Sequence, residues 1–431
     1  MKTSVIFITG LILTSTFFLT VTGCAQSFEK YFTDGTLRID YYCAGKTGQT
    51  EIFLDELLRE PYWGGAKKLH DKKDPAGNIR YNAYDKNSGK LLYSKGMSTL
   101  FQEWQSTAEA QSLPRAMSLT ATMPFPLSKI VFEIEERRYE TGMFKKIFST
   151  EIDPKDYFIR PELRMPAESK KLTDNGASEN HIDIVFIAEG YTESEKSKFY
   201  DDASRIGRAI LSNAPFDKYQ NKFNVYAVFG VSKESGTDIP GEKIYRNTVL
   251  NSSFYTFNID RYLTTFDNKN ICNMAANVPY DAVFVLVNSN IYGGGGFYNW
   301  YATGVADNSV TERTAVHEFG HSFAGLADEY YTSAVAYSDF YNFKTEPWEP
   351  NITTLVDFNS KWKNMLDSST PVPTPRSANW QDKLGVFEGG GYVAKGIFSP
   401  AQDCIMNSGR GHFCPVCQRA IVDKIIEIAG N

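Results

Sequence analysis

A chain of 431 residues is long for one core and favours two or three domains. With 42% hydrophobic, 22% charged and 14% aromatic residues and no low-complexity tract, its composition is globular rather than disordered. A net charge of −6 and the lack of a Lys/Arg-rich run argue against nucleic acid as a general partner.

The chain opens Met1-Lys2 and continues in an apolar run from Val5 to Val21, a pattern that reads as a signal peptide over residues 1–24. The run ends Val21-Thr22-Gly23-Cys24, which resembles a bacterial lipobox whose cysteine is lipidated and becomes the first residue. Gly23-Cys24-Ala25 equally fits ordinary cleavage before Gln26. Either way the mature protein is expected outside the cytoplasm, as a cell-envelope lipoprotein anchored through Cys24 or as a secreted protein. No other stretch is long and apolar enough to span a bilayer. Export permits disulfides. The cysteines beyond Cys24 are Cys43, Cys272, Cys404, Cys414 and Cys417, an odd number that leaves a thiol unpaired unless a metal takes several.

Residues 27–165 alternate apolar and polar positions in short runs, as in Thr36-Leu37-Arg38-Ile39-Asp40-Tyr41 and Lys129 to Glu135. Asn87-Ser88-Gly89 reads as a hairpin turn between Tyr81–Tyr84 and Lys90–Tyr93. The expectation is a β-sandwich-like domain that serves as a binding or spacer module, with His70 a surface or packing residue. Pro166 to Ser178 is polar and reads as a linker.

From about residue 175 to 431 the pattern becomes mixed. His181 to Ala188, Phe223 to Val231 and the nearly all-apolar Tyr280 to Val287 are predicted strands, the last of them central. Thr192-x-x-Glu195 is a capping box for a helix whose apolar face is Phe199, Ala203, Ile206 and Ile210. The fold class predicted is α+β: a domain of mixed sheet and helices, preceded by the β-rich domain. Gly293-Gly294-Gly295-Gly296 follows the central strand and reads either as a flexible loop or as a place where a substrate strand can approach the backbone.

Ser309-Val310-Thr311-Glu312 predicts a second capping box and a helix beginning near Val310. On that helix His317 and His321 are four residues apart and share a face, so their imidazoles can take adjacent corners of a zinc tetrahedron. Glu318 cannot share that direction and is placed to accept a proton from zinc-activated water. Gly325 is suited to end the helix in a left-handed turn. The carboxylates just beyond it supply the third ligand, Asp328 in preference to Glu329, with the unused one a hydrogen-bond acceptor behind a histidine.

The run HEFGHSFAGLADEY, with the later DCIMN, resembles the IgA-peptidase family of bacterial metallopeptidases over roughly residues 180–431, and the β-rich region is similar to the domain often attached in front of it. The arrangement also resembles the metzincin plan H-E-x-x-H-x-x-G-x-x-H/D, with Gly325 and Asp328 each one place late. That resemblance implies a Met-turn at Met406, whose thioether forms an apolar floor beneath the zinc. Ser408 stands where many metzincins carry a tyrosine, so Tyr330 or Tyr331 is the substitute. Cys404, Cys414 and Cys417 resemble cysteines that hold a second zinc in an archaeal branch of metzincins, where the chain's Glu329 would be a further cysteine. His412 could complete a set, but a disulfide from Cys404 to Cys414 or Cys417 is the favoured reading. Cys414 to Gly430 is predicted as a terminal helix with Pro415 in its first turn. The function expected is hydrolysis of extracellular protein or glycoprotein by a zinc endopeptidase. The rival readings are a non-catalytic surface-binding lipoprotein and a glycan-binding adhesin.

Overall fold

The computed structural model describes residues 28–331, 340–408 and 411–430, so the expected signal segment and Cys24 lie outside the described residues. The fold is mixed α+β, with several sheets, few long helices, and an N-terminal domain ahead of a second, larger one.

The first part contains β1 (Phe32–Lys46), β2 (Gln49–Glu60), β3 (Ile79–Asp85), β4 (Leu91–Met97), the short helix α1 (Leu100–Gln105), β5 (Arg115–Pro126), β6 (Ile130–Arg137), β7 (Phe144–Ile152) and β8 (Arg160–Pro161). They form two four-stranded sheets, in the orders β5-β1-β2-β8 and β4-β3-β6-β7. Strands β3 and β4 are antiparallel neighbours, as a hairpin turn at Asn87-Ser88-Gly89 requires. Leu37, Ile39 and Tyr41 of one sheet and Ile79, Tyr81 and Phe132 of the other enter a single apolar core. His70 is half-buried and packs on Tyr93.

The polar letters that alternate with these apolar ones do not face water. Arg38 is only 2% exposed. Its guanidinium grips Asp40 in a two-pronged contact (Nε–Oδ1 2.9 Å, Nη2–Oδ2 2.8 Å). It then reaches Asn273 at 2.7 Å and the Lys269 carbonyl at 3.2 Å, both on α3 (Asn268–Ala275) of the second domain. Glu60 lies 3.5 Å from the same guanidinium and accepts from Tyr280 at 3.1 Å. The polar side of β1 is thus a buried, charge-paired seam against the second domain rather than a solvent face.

The second domain adds β9 (Glu168–Thr173), β10 (Ile182–Glu189), α2 (Lys196–Leu211), β11 (Phe223–Phe229), β12 (Ala282–Val287), β13 (Gly294–Gly296), β14 (Tyr301–Val305), α4 (Thr311–Ala324), β15 (Phe387–Gly390), β16 (Val393–Ser399), α5 (Ile405–Ser408) and α6 (Pro415–Ala429). Its six-stranded sheet runs β13-β14-β12-β10-β11-β9, with parallel strands inside and an antiparallel strand at each edge. Period-two alternation sends Ile184, Phe186 and Ala188 toward the core shared with α2, α4 and α6. Val185 and Ile187 point the other way, into the core of the N-terminal domain. One sheet is therefore buried on both faces, which is why β10 and β12 read as unbroken apolar runs.

Two local readings change. The expected linker contains strand β9, paired with β11. Its side chains are mostly exposed because it has a neighbour on one side only, and Lys170 and Lys171 give that edge charge. The capping box at Thr192/Glu195 is formed, but the one expected at Ser309/Glu312 is not. Instead Asn308 accepts from the Val310 amide at 3.1 Å, and Thr311 Oγ1 accepts from the Asn308 amide at 3.0 Å.

Replacing Arg38 with Met would strand Asp40 and Glu60 in the seam without their cation. Thermal and urea unfolding should show a loss of about 3–5 kcal/mol, the usual cost of halving a buried charge network. A loss below about 1 kcal/mol, the level of a surface pair, would contradict the seam.

Candidate metal centre

Helix α4 carries the histidines, and its end sets the third group. Gly325 adopts φ 63°, with its amide on the His321 carbonyl at 3.0 Å and the next amide, Leu326, on Gly320 at 3.3 Å. This left-handed cap reverses the chain and returns Asp328 to the histidine face. Every backbone step of the return is held. His321 Nδ1 donates to Leu326 O. Asn351 holds both polar backbone atoms of Ala327, at 2.7 and 2.8 Å. The Gly391 amide donates to Asp328 O at 2.9 Å, and the Glu329 amide to Met406 O at 2.8 Å.

The result is a tight triangle. His317 Nε2 and His321 Nε2 stand 3.1 Å apart, and Asp328 Oδ1 is 3.1 Å from the first and 3.4 Å from the second. Ligands about 2.0–2.1 Å from a tetrahedral zinc stand about 3.3–3.4 Å from one another, so the triangle has the size such an ion needs. Its chemistry agrees. Carbonyls only accept, so each histidine must carry its proton on Nδ1, donating to Ile405 O at 2.9 Å and to Leu326 O. Both Nε2 atoms then present lone pairs to each other and to a carboxylate oxygen. Asp328 Oδ1 is buried and lacks a hydrogen-bond partner. One shared proton can satisfy one such pair; a cation satisfies all three atoms.

The electrostatics favour positive charge at the triangle, whether a metal ion or a second proton on His321. Burial works against a charge on Asp328, but His321 and His317 outweigh it and hold the carboxyl well below the usual range. Burial lowers His321, yet the facing Asp328 overrides it and pushes the imidazole up to about 9. Burial pushes Glu318 up, with the two histidines opposing.

Met406 is fully buried beneath α4, and a Cβ placed on Gly320 would come within 3.1 Å of its sulfur. The glycine run has a definite use. A Cβ on Gly296 would lie 2.4 Å from the Glu318 carbonyl, and one on Gly294 would lie 2.9 Å from Glu318 Cγ. Glycine thus lets β13 lie directly against α4. Its outer edge is not free at Gly294, whose amide and carbonyl meet Arg261 O and the Leu263 amide, each at 3.3 Å.

Around these groups lies a cleft of about 480 Å³, with Arg261, Tyr292 and Tyr330 on its wall. Of the two tyrosines weighed as substitutes, Tyr330 lines it, whereas Tyr331 sits under Arg376. The N-terminal domain supplies Asn78, Ser98 and Glu103 to the same cleft. Sequence reading missed these, and it missed Tyr392, whose hydroxyl donates to Asp328 Oδ2 at 2.7 Å. Tyr392 occupies the β15–β16 turn at φ 70°, after Gly389-Gly390-Gly391. That glycine run was the available signal.

The disulfide expectation is overturned. Cys404, Cys414 and Cys417 are free thiols, and Cys404 Sγ and Cys417 Sγ stand 3.8 Å apart, against about 2.05 Å for a bond. Glu329, not the exposed His412, completes their group, which removes it from the first triangle.

Two imidazoles and a carboxylate converging at the spacing of metal ligands, beside a further carboxyl in a cleft, define the class of metal-dependent hydrolases. The family model described as IgA Peptidase M64 matches residues 171–382 and 376–425, and that described as Peptidase M64 N-terminus matches residues 27–149. The chain belongs to the IgA Peptidase M64 family, a family of zinc metallopeptidases. No curated protein matches it.

Replacing Tyr392 with Phe removes one hydroxyl from behind Asp328. Competition with a chelating dye should show metal affinity reduced about 10–100-fold with the fold intact. Unchanged affinity would mean that Asp328 needs no such support.

Proposed function

We propose that this chain is an exported zinc metalloendopeptidase with a metzincin-like catalytic domain. The observation that carries it is the convergence of His317 Nε2, His321 Nε2 and Asp328 Oδ1 next to Glu318. Asp328 is the third ligand and Glu329 is not, because the Glu329 carboxyl is turned to the cysteines.

When bound, zinc supplies Lewis acidity toward a peptide carbonyl and lowers the pKa of water it coordinates to about 7. The chain's own groups do the rest. Glu318 is the general base: it takes a proton in the attack and passes it to the leaving amine. Its burial favours the protonated form that this second transfer needs. Arg261 and Tyr330, on the cleft wall facing Asp328, are positioned to stabilise negative charge on the carbonyl oxygen. The metzincin-like reading is supported by the glycine-capped helix, Met406 beneath it and the packing of α6 against α4 in one core.

The substrate class is protein. Immunoglobulin or another extracellular glycoprotein is proposed from the family's description together with the signal-like residues 1–24. Attachment to the cell envelope through a lipid on Cys24 rests on that segment alone.

Glu318→Gln keeps size and removes the base. Cleavage of a denatured mixed-sequence protein should fall by about 10²–10⁴-fold while zinc content stays as in wild type. Undiminished cleavage would remove Glu318 from the mechanism.

A further inference from the structure

A second group of potential ligands lies directly behind the first. Glu329 Oε1 is 3.2 Å from Cys417 Sγ and 3.9 Å from Cys414 Sγ. Cys404 Sγ is 3.8 Å from Cys417 Sγ and accepts the Cys414 amide at 3.3 Å. All four side chains are buried, and their ligand atoms lie within 4.8 Å of one another. A tetrahedral zinc with sulfur about 2.3 Å away sets sulfurs about 3.7–3.8 Å apart, and sulfur and oxygen about 3.5 Å apart. The observed separations bracket those values and are nearly double a disulfide bond.

Two further observations point to a cation. The Glu329 carboxylate accepts from Asn351 at 2.9 Å through Oε1, but its second oxygen, Oε2, is buried with no hydrogen-bond partner, which is costly beside three thiols. Cys414 is the N-cap of the 15-residue helix α6, where the backbone favours a thiolate over a thiol. Three soft sulfurs with one oxygen in a closed, buried tetrahedron suit a structural zinc, with no open position for substrate.

We propose that Glu329, Cys404, Cys414 and Cys417 hold a second, structural zinc ion distinct from the one in the cleft. It ties together the loop after α4, the turn that carries Met406 and the start of α6. Glu329 is the immediate neighbour of Asp328, so an ion on Glu329 fixes the backbone that presents Asp328 to the histidines. The inference does not depend on the peptidase reading, because its ligands are separate from that site.

Cysteine replacement could unfold the chain, so the first variant leaves the cluster untouched. The full mature chain with His317→Ala and His321→Ala, purified without added metal, should retain about one zinc, against about two in wild type. After exchange of the retained zinc for cobalt, the variant should show an intense near-ultraviolet thiolate-to-cobalt band. Adding Cys417→Ser should abolish that band, with folding followed by circular dichroism. A folded histidine variant that retains no metal and gives no cobalt–thiolate band would overturn the second site. So would mass-spectrometric detection of a Cys404–Cys414 or Cys404–Cys417 disulfide in the native protein. Loss of proteolysis alone bears on the cleft and leaves both readouts intact.

Discussion

Two imidazole nitrogens and a carboxylate oxygen are held within hydrogen-bonding distance of one another around a point that demands a cation. That is an unfavourable arrangement for a protein to keep buried, and much of the surrounding structure serves to enforce it. Helix α4 fixes the two imidazoles by register, and backbone carbonyls fix their tautomers. Gly325 turns the chain, and Asn351, Gly391 and Met406 each take a backbone group of the returning segment. Removing any one hydrogen bond leaves the others, so the position of Asp328 is over-determined. Such redundancy is expected where a site must be pre-organised for a cation.

The fixed triangle also accounts for the glycines. A helix bearing three functional side chains on consecutive turns must lie close to a strand, yet its cleft side must stay open. Strand β13 resolves this with Gly294 and Gly296, which touch Glu318 and His321 without side chains of their own. Beyond the sheet, the N-terminal domain is fused to the catalytic one through a common apolar core and the Arg38 seam. It gives Asn78, Ser98 and Glu103 to the cleft wall, so substrate bound there meets both domains.

What could be read from the sequence was what depends on short separations. The pairing of His317 with His321, the place of Glu318 and the glycine cap before Asp328 are all set within one helix and its end. The hairpin at Asn87-Ser88-Gly89, the apolar strands β10 and β12 and the capping box at Thr192 are equally local. Long-range partners were not legible. Glu329 meets Cys417 across 88 positions, and Arg38 meets Asn273 across 235. A polar stripe on a strand looks the same whether it faces water or a second domain, and a polar edge strand such as β9 looks like a linker. Tyr392 acts through a turn 64 positions from Asp328, and only the glycines before it hinted that the backbone there was constrained.

Anomalous diffraction across the zinc absorption edge, on crystals of the wild-type protein, bears on the triangle itself. The account predicts a peak about 2.0–2.1 Å from His317 Nε2, His321 Nε2 and a carboxylate oxygen of Asp328. No peak there, with a proton shared between a histidine and Asp328, would contradict it, as would a peak ligated by Glu329 in place of Asp328.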